Sequence, residues 1–332
     1  MTANQNSITP SPYRRGHRVG EERQKQVDDF VNKLVTLRHS DDIHRSIELV
    51  HQKTRGAREA SVLIVYGPPG VGKTTIIGEY QKRFPRKQYE ERDHVPVLSI
   101  SVSAKPTARE MAADLLCELV DDLTTPLVKG TKAQVIRRLE SLIKPMGVEL
   151  IILDEVSNFF NRALDSRAFQ GSTDFIKELV IRFRIPVVLV GMPRLVDIVD
   201  PRCFPGIERA QLISRCMRPV PVMPIPFKGK AWARVMEQYR SNLPVPTPDL
   251  VSEMMLLRMY VATRGIQRDI SVLLANALLH REAENRITLG DLVYAYNTFL
   301  PPRFDLRGNP FEMTRRQLEV ALEDTLRLME QL

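Results

Sequence analysis

Residues Gly67-Pro68-Pro69-Gly70-Val71-Gly72-Lys73-Thr74-Thr75 fill the pattern G-x-x-x-x-G-K-[ST] directly after the apolar run Val62-Leu63-Ile64-Val65-Tyr66. A strand feeding a glycine-rich turn, with a helix behind it, aims backbone N–H groups and a helix N-terminus at one point, which is how phosphates are held. Gly67, Gly70 and Gly72 let the main chain curl without Cβ clashes. Pro68, Pro69, Val71 and Thr75 complete the loop. Lys73 is expected to reach the β- and γ-phosphates, and Thr74 to offer its hydroxyl to Mg²⁺, which prefers oxygen ligands.

The second half of such a site lies in Glu149-Leu150-Ile151-Ile152-Leu153-Asp154-Glu155, a short apolar run ending in two carboxylates. Asp154 is expected to hold Mg²⁺ through its water shell. Strand alternation would turn Glu155 to the opposite side, where it could orient and deprotonate a water attacking the γ-phosphate. An acid beside the metal ligand points to hydrolysis of the γ-phosphate and not to its transfer to another substrate. An ordinary strand-to-loop transition carries the same residue types, and the glycine loop is what argues against it.

With 332 residues, 43% of them hydrophobic, the chain can build one α/β domain and a smaller second one. No run approaches the roughly 20 apolar residues that cross a bilayer, and the polar start does not resemble a signal peptide, so a cytoplasmic protein without membrane partners is expected. Cys117, Cys203 and Cys216 share neither C-x-x-C spacing nor histidine neighbours. Reduced thiols are the natural reading. The net charge of +8 favours a polyanionic partner, and the segment from Arg202 to Arg240 holds eight basic residues against two acidic ones. A solvated basic face would look the same.

Along the chain, a polar arm and a first helix occupy 1–40. Apolar runs at 62–66, 95–102, 150–153, 185–190 and 220–225 alternate with helical patterns over 41–226, which predicts a parallel five-stranded sheet. Pro221 and Pro224 confine the last run to a sheet edge. From 227 to 300 only helical patterns remain, with Thr288 as an N-cap and Asp291 at N3. Residues 301–332 form a tail ending in a helix, with Leu318, Leu322, Leu326 and Met329 at helical spacing. This helix either docks on the preceding helical region or engages a partner.

Taken together, these elements resemble an AAA+ ATPase, a P-loop NTPase α/β domain followed by a small all-helical lid. Ser214-Arg215-Cys216, just before the proline-rich run, is similar to the Ser-Arg-Cys element of clamp-loader relatives. There the arginine enters the neighbouring subunit's ATP site, so the resemblance makes Arg215 the arginine finger, with Arg209 and Arg218 as alternates. Thr263-Arg264-Gly265-Ile266-Gln267-Arg268 resembles the second sensor, with Arg268 reaching the γ-phosphate in its own subunit. The chain departs from the family at Val190-Gly191-Met192-Pro193, where many relatives carry a polar first sensor, and no side chain is assigned that role.

Leu189 to Pro193, the Gln211–Arg215 run, the compact size and the helical lid are most similar to the TniB/TnsC family of transposition ATPases. That resemblance implies an ATP- and Mg²⁺-dependent homo-oligomer, a ring or helical filament, that wraps duplex DNA and recruits or activates a DDE transposase. It also implies target information from a TniQ-type protein, in some elements linked to a CRISPR effector. Lys129 and Lys132, opening a helix with Val135, Leu139 and Leu142 on its buried face, are candidate DNA-phosphate contacts, with Arg137 and Lys105 behind them. Solvation explains these cations equally well. The alternatives are a clamp-loader or replication-initiator relative, and a nucleotide-switched interaction protein with no DNA role.

Overall fold

A computed structural model describes residues 20–33, 38–53, 60–90, 92–103, 107–156, 167–200, 211–301, 306 and 308–329. Five strands, β1 (Val62–Tyr66), β2 (Val97–Ser101), β3 (Leu150–Asp154), β4 (Val187–Gly191) and β5 (Val220–Pro221), form one sheet in the order β2-β3-β4-β1-β5. All neighbours are parallel. Every strand therefore finishes on the same side of the sheet, where the loops that follow β1, β3 and β4 gather.

The strands read as unbroken apolar runs because both faces of the sheet are covered. On one face Val62, Ile64, Leu98, Ile100, Ile151, Leu153, Val187 and Leu189 pack with side chains of α4 (Ala108–Val120), α5 (Lys132–Ile143) and α6 (Arg167–Lys177). The alternate residues Leu63, Val65, Val97, Leu150, Ile152, Val188 and Val190 pack on the other face with α2 (Arg38–Lys53) and α3 (Lys73–Gln81). Two histidines brace α2. His44 donates from Nε2 to the Ile76 carbonyl at 2.8 Å, which leaves Nδ1 to accept from Arg83 at 2.7 Å. His51 joins Tyr80, at 2.9 Å, to Glu149, at 3.1 Å.

The expected strand over 220–225 is shorter than its apolar pattern. Val222 still donates to the Tyr66 carbonyl at 2.7 Å, but Pro221 and Pro224 have no N–H to give. β5 is the edge strand that the prolines require. The helix Glu253–Thr263 begins no earlier because Asp249 closes a turn by accepting from the Val251 N–H at 3.3 Å and the Ser252 N–H at 3.1 Å.

The chain divides into two compact units, one of residues 36–227 with 264–268 and 324–332, the other of residues 1–35, 228–263 and 269–323. The second is helical among the described residues, with α1 (Glu21–Asn32), α7 (Lys230–Asn242), α8 (Glu253–Thr263), most of α9 (Gln267–Leu279), α10 (Leu289–Phe299) and much of α11 (Arg315–Met329). Trp232 anchors it, donating to the Leu256 carbonyl at 3.0 Å and meeting Tyr260 edge-on. Thr288 and Asp291 form the reciprocal cap that the sequence predicts.

α1 joins this unit from the far end of the sequence. Arg23 donates to the Arg281 carbonyl, 258 positions away, and the buried Arg281 guanidinium reaches Gln26 at 2.9 Å. The tail joins it too, since Asn309 bonds the Val293 carbonyl, Phe311 is buried, and Arg315 pairs with Glu253. Of the two readings left open for the tail, docking on the helical region is therefore the one its first part follows.

Candidate nucleotide site

The glycine loop leaves β1 between its two neighbours. Gly67 donates its N–H to the Gly191 carbonyl at 3.1 Å, and a Cβ on Gly67 would stand 2.1 Å from the Val222 carbonyl oxygen. Only glycine fits so tight a passage. Gly70 at φ 80 and Gly72 at φ 93 take left-handed conformations that complete the curl into α3. Pro68 and Val71 are buried, whereas Pro69, Thr74 and Thr75 are exposed around the mouth of the loop. Gly72 is the N-cap of α3 and makes no side-chain cap, so the first N–H groups of the helix face the loop's interior without an intramolecular acceptor from that residue.

Lys73 is buried, and its ammonium donates to the Gly67 and Pro68 carbonyls at 2.8 Å each. Burial pulls its pKa down, while Glu155 and Asp154 hold it up. Thr74 Oγ1 donates to Asp154 Oδ2 at 2.7 Å, and the other carboxylate oxygen accepts the Glu155 N–H at 2.8 Å. Asp154, the last residue of β3, is buried, whereas Thr74 is exposed, so a carboxylate and a hydroxyl meet at the mouth of the loop as the kind of oxygen pair a hard divalent cation takes. The glycine cradle and this oxygen pair fit a magnesium-bound nucleotide.

Glu155 does not follow from strand alternation. β3 ends at Asp154, and Glu155 adopts φ 59, a left-handed conformation beyond the strand, with its side chain exposed. The backbone turn, and not the pleat, sets its direction. At the end of β4, Gly191 and Met192 bring no polar side chain.

The turn 264–268 belongs to the same compact unit as the glycine loop. The Arg268 N–H donates to the Gly70 carbonyl at 2.9 Å, and a Cβ on Gly70 would lie 3.2 Å from Arg268 Cζ. Arg268 therefore sits over the loop. Sequence reasoning missed Gln267, whose Oε1 would be 2.4 Å from a Cβ on Gly72. Its only signal was its place beside Arg268.

Arg215 sits on the opposite side of the sheet, where the strands begin. Its carbonyl accepts the Val62 N–H at 3.0 Å, and Met217 donates to Val62 at 2.8 Å, which fixes the segment to the start of β1. The glycine loop leaves the other end of that strand, about 13 Å along it at ~3.3 Å per residue. The structure does not bring Arg215 to the glycine loop of its own chain.

Lys129, Lys132 and Arg137 are exposed around the start of α5. The loop before α5 is pinned by Arg109, which donates to the Val128 and Gly130 carbonyls at 3.0 and 3.1 Å, and by Arg138, which donates to those of Leu127 and Lys129. Thr131 and Gln134 form a capping box that consumes the N-cap and N3 N–H groups, so the helix end offers an anion less than its sequence suggests. On the buried face of α5, Ile136 and Ile143 lie deeper than the expected Leu142, which is only partly covered. Lys105 and the alternate finger Arg209 lie outside the described residues, as does Cys203; the other alternate, Arg218, is exposed.

A parallel sheet in this order, a glycine loop after β1, a buried Asp at the end of β3 and a following helical region define an AAA+ P-loop NTPase fold. Solved structures share it: the ORC1 protein of Aeropyrum pernix in complex with DNA at TM-score 0.58 and 18% identity, covering 82% of this chain and 68% of that one. Drosophila ORC bound to DNA follows at 0.53 and 14%, covering 89% and 69%. Cdc6p from Pyrobaculum aerophilum gives 0.56 and 14%, covering 84% and 72%. Such identities speak for the fold alone. No curated protein sequence matches the chain. The family of bacterial TniB proteins matches it over residues 31–202, and the chain belongs to that family. No helix among the described residues is long and apolar enough to cross a membrane.

Cys216 reports on the Arg215 segment. Its thiol donates to the Leu212 carbonyl at 3.3 Å, and burial pushes its pKa up to about 12. The folded state thus favours the protonated thiol, so this group's contribution to stability is complete below the ordinary thiol pKa and is lost as pH rises toward 12. Iodoacetamide at pH 8 should leave Cys216 unmodified in the native protein and label it after denaturation, read by peptide mass spectrometry. Rapid labelling of native Cys216 would mean that the segment is not held against β1.

Proposed function

We propose that this TniB-family chain is an ATPase that assembles on duplex DNA and regulates transposition. The observation that carries the ATPase part of the reading is the Thr74–Asp154 hydrogen bond beside a glycine cradle overlooked by Arg268. In this reading Lys73 exchanges its two carbonyl partners for the β- and γ-phosphates. Thr74 and Asp154 hold Mg²⁺, whose chemistry when bound is to neutralise charge on phosphate oxygens. Glu155, exposed just beyond the metal ligand, orients the attacking water and takes its proton. Arg268 reads the γ-phosphate within the subunit.

Arg215, on the far side of the sheet, serves a neighbouring subunit. An arginine anchored at the start of β1 reaches a phosphate only if a second copy presents its glycine loop there, which makes the oligomer part of the catalytic apparatus. Family membership supports a DDE transposase and a TniQ-type targeting protein, in some elements CRISPR-linked, as partners. Two proteins of similar fold, the Aeropyrum pernix ORC1 protein and Drosophila ORC, are seen on DNA, which supports a DNA-binding role and also a second reading as a replication-initiator relative. Stimulation of a cognate transposase, against stimulation of origin opening, separates the two readings.

Lys73→Ala should weaken ATP binding severely, because it removes the charge that faces the phosphates. Glu155→Gln should keep nucleotide affinity and slow hydrolysis by ~10²-fold or more, which traps the assembled state. Nucleotide titration and steady-state phosphate release test this, and an equal loss of affinity in both variants would contradict the assigned roles.

DNA binding should be tolerant of sequence, should require an ATP analogue, and should weaken steeply with salt. Lys129→Ala with Lys132→Ala should lower duplex affinity and reduce the salt slope by about 0.9 for each DNA phosphate that is no longer neutralised, with ATP affinity intact. Fluorescence anisotropy over a salt series measures both. Unchanged affinity and slope would remove these lysines from the interface, and a wild-type chain that binds no duplex with any nucleotide would favour the switch reading.

A further inference from the structure

Gln267 is held against the glycine loop by a turn whose shape leaves it little freedom. Arg264 at φ 56 and Gly265 at φ 70 reverse the chain, and the Gly265 carbonyl accepts the Ile225 N–H at 2.9 Å. A Cβ on Gly265 would stand 2.2 Å from the Ile225 carbonyl oxygen, so glycine is required there. The Arg268 N–H to Gly70 carbonyl bond fixes the other side of the turn. Between these anchors the Gln267 amide lies on Gly72, with Oε1 and Cδ 2.4 and 3.5 Å from the point where a Cβ would stand.

Gly72 is the N-cap of α3 and the residue before Lys73. A primary amide carries two N–H donors as well as its oxygen, and a half-turn of its end group presents the nitrogen at the same point. Turned that way, the side chain would add neutral donors to a site whose other donors are backbone N–H groups, Lys73 and Arg268. At the end of β4, Gly191 and Met192 offer no polar side chain.

We propose that Gln267 is a direct ligand of the nucleotide's phosphate tail, its amide nitrogen donating to a phosphate oxygen held over Gly72. The inference rests on the ATP-binding reading above. A neutral amide at Gly72 serves ADP and ATP alike, whereas the Arg268 guanidinium, set over Gly70, favours the more highly charged ATP.

Fluorescent ADP and a slowly hydrolysed ATP analogue, titrated into the full chain and its Gln267→Ala, Gln267→Met and Gln267→Glu variants, test the assignment. Methionine keeps the length of glutamine without its donors. The Ala and Met variants should each weaken both nucleotides about tenfold or more. The Glu variant should weaken them further, because a carboxylate repels phosphate, and the unfolding midpoint of the nucleotide-free Met variant should match the wild type. Wild-type affinity in the Met variant would overturn the proposal, leaving Gln267 a packing residue. A wild-type chain that binds neither nucleotide would overturn the ATP-binding reading and this proposal together.

Discussion

The Thr74–Asp154 hydrogen bond joins residues 80 positions apart, one in the first turn of α3, just after β1, and the other at the end of β3, although β4 lies between those two strands. Strand spacing of ~4.8 Å puts the ends of β1 and β3 about 10 Å apart. The glycine loop has to fold back over the end of β4 for the hydrogen bond to form, and Gly191 marks that end. Gly67, pinned to the Gly191 carbonyl and pressed against Val222, is where the fold-back begins. The position of Lys73, the exposure of Thr74 and the seat for Arg268 on Gly70 all follow from how the chain leaves this point.

A parallel sheet also separates what gathers at its two ends. The end where strands finish collects Gly67 to Thr75, Asp154 and Glu155, while the end where they begin holds Arg215 through the Val62 N–H. Because one strand length separates them, a single chain carries both halves of the proposed catalytic apparatus without joining them. Cys216 and Met217 continue the anchorage of Arg215 along Val62, so main-chain hydrogen bonds fix its backbone at the start of β1.

Much of this was legible in the sequence because local chemistry dictates it. The glycine loop, the acidic end of β3, the five apolar runs and the Thr288 cap are each specified by neighbours within a few residues. Pro221 and Pro224 announced an edge strand for the same reason. What was illegible depends on residues distant in sequence or on a single backbone angle. Glu155 leaves the pleat through φ 59, which no carboxylate pattern encodes. Gln267 meets Gly72 only after the turn at Gly265 has docked on Ile225. α1 belongs with the helical unit through Arg23, Gln26 and Arg281, and the Thr131–Gln134 box engages N–H groups that would otherwise be open, beside the lysines, to an anion.

The proposed ATP site is completed between subunits, by Arg215 of one chain and the Lys73 loop of the next. Its most direct test mixes Arg215→Ala chains with Lys73→Ala chains and measures phosphate release in assemblies shown to contain both. Each variant alone should be nearly inactive, and the mixture should recover activity at interfaces that pair an intact loop with an intact arginine. Co-assembled mixtures that recover nothing would contradict the shared site and make Arg215 a residue of its own chain's structure.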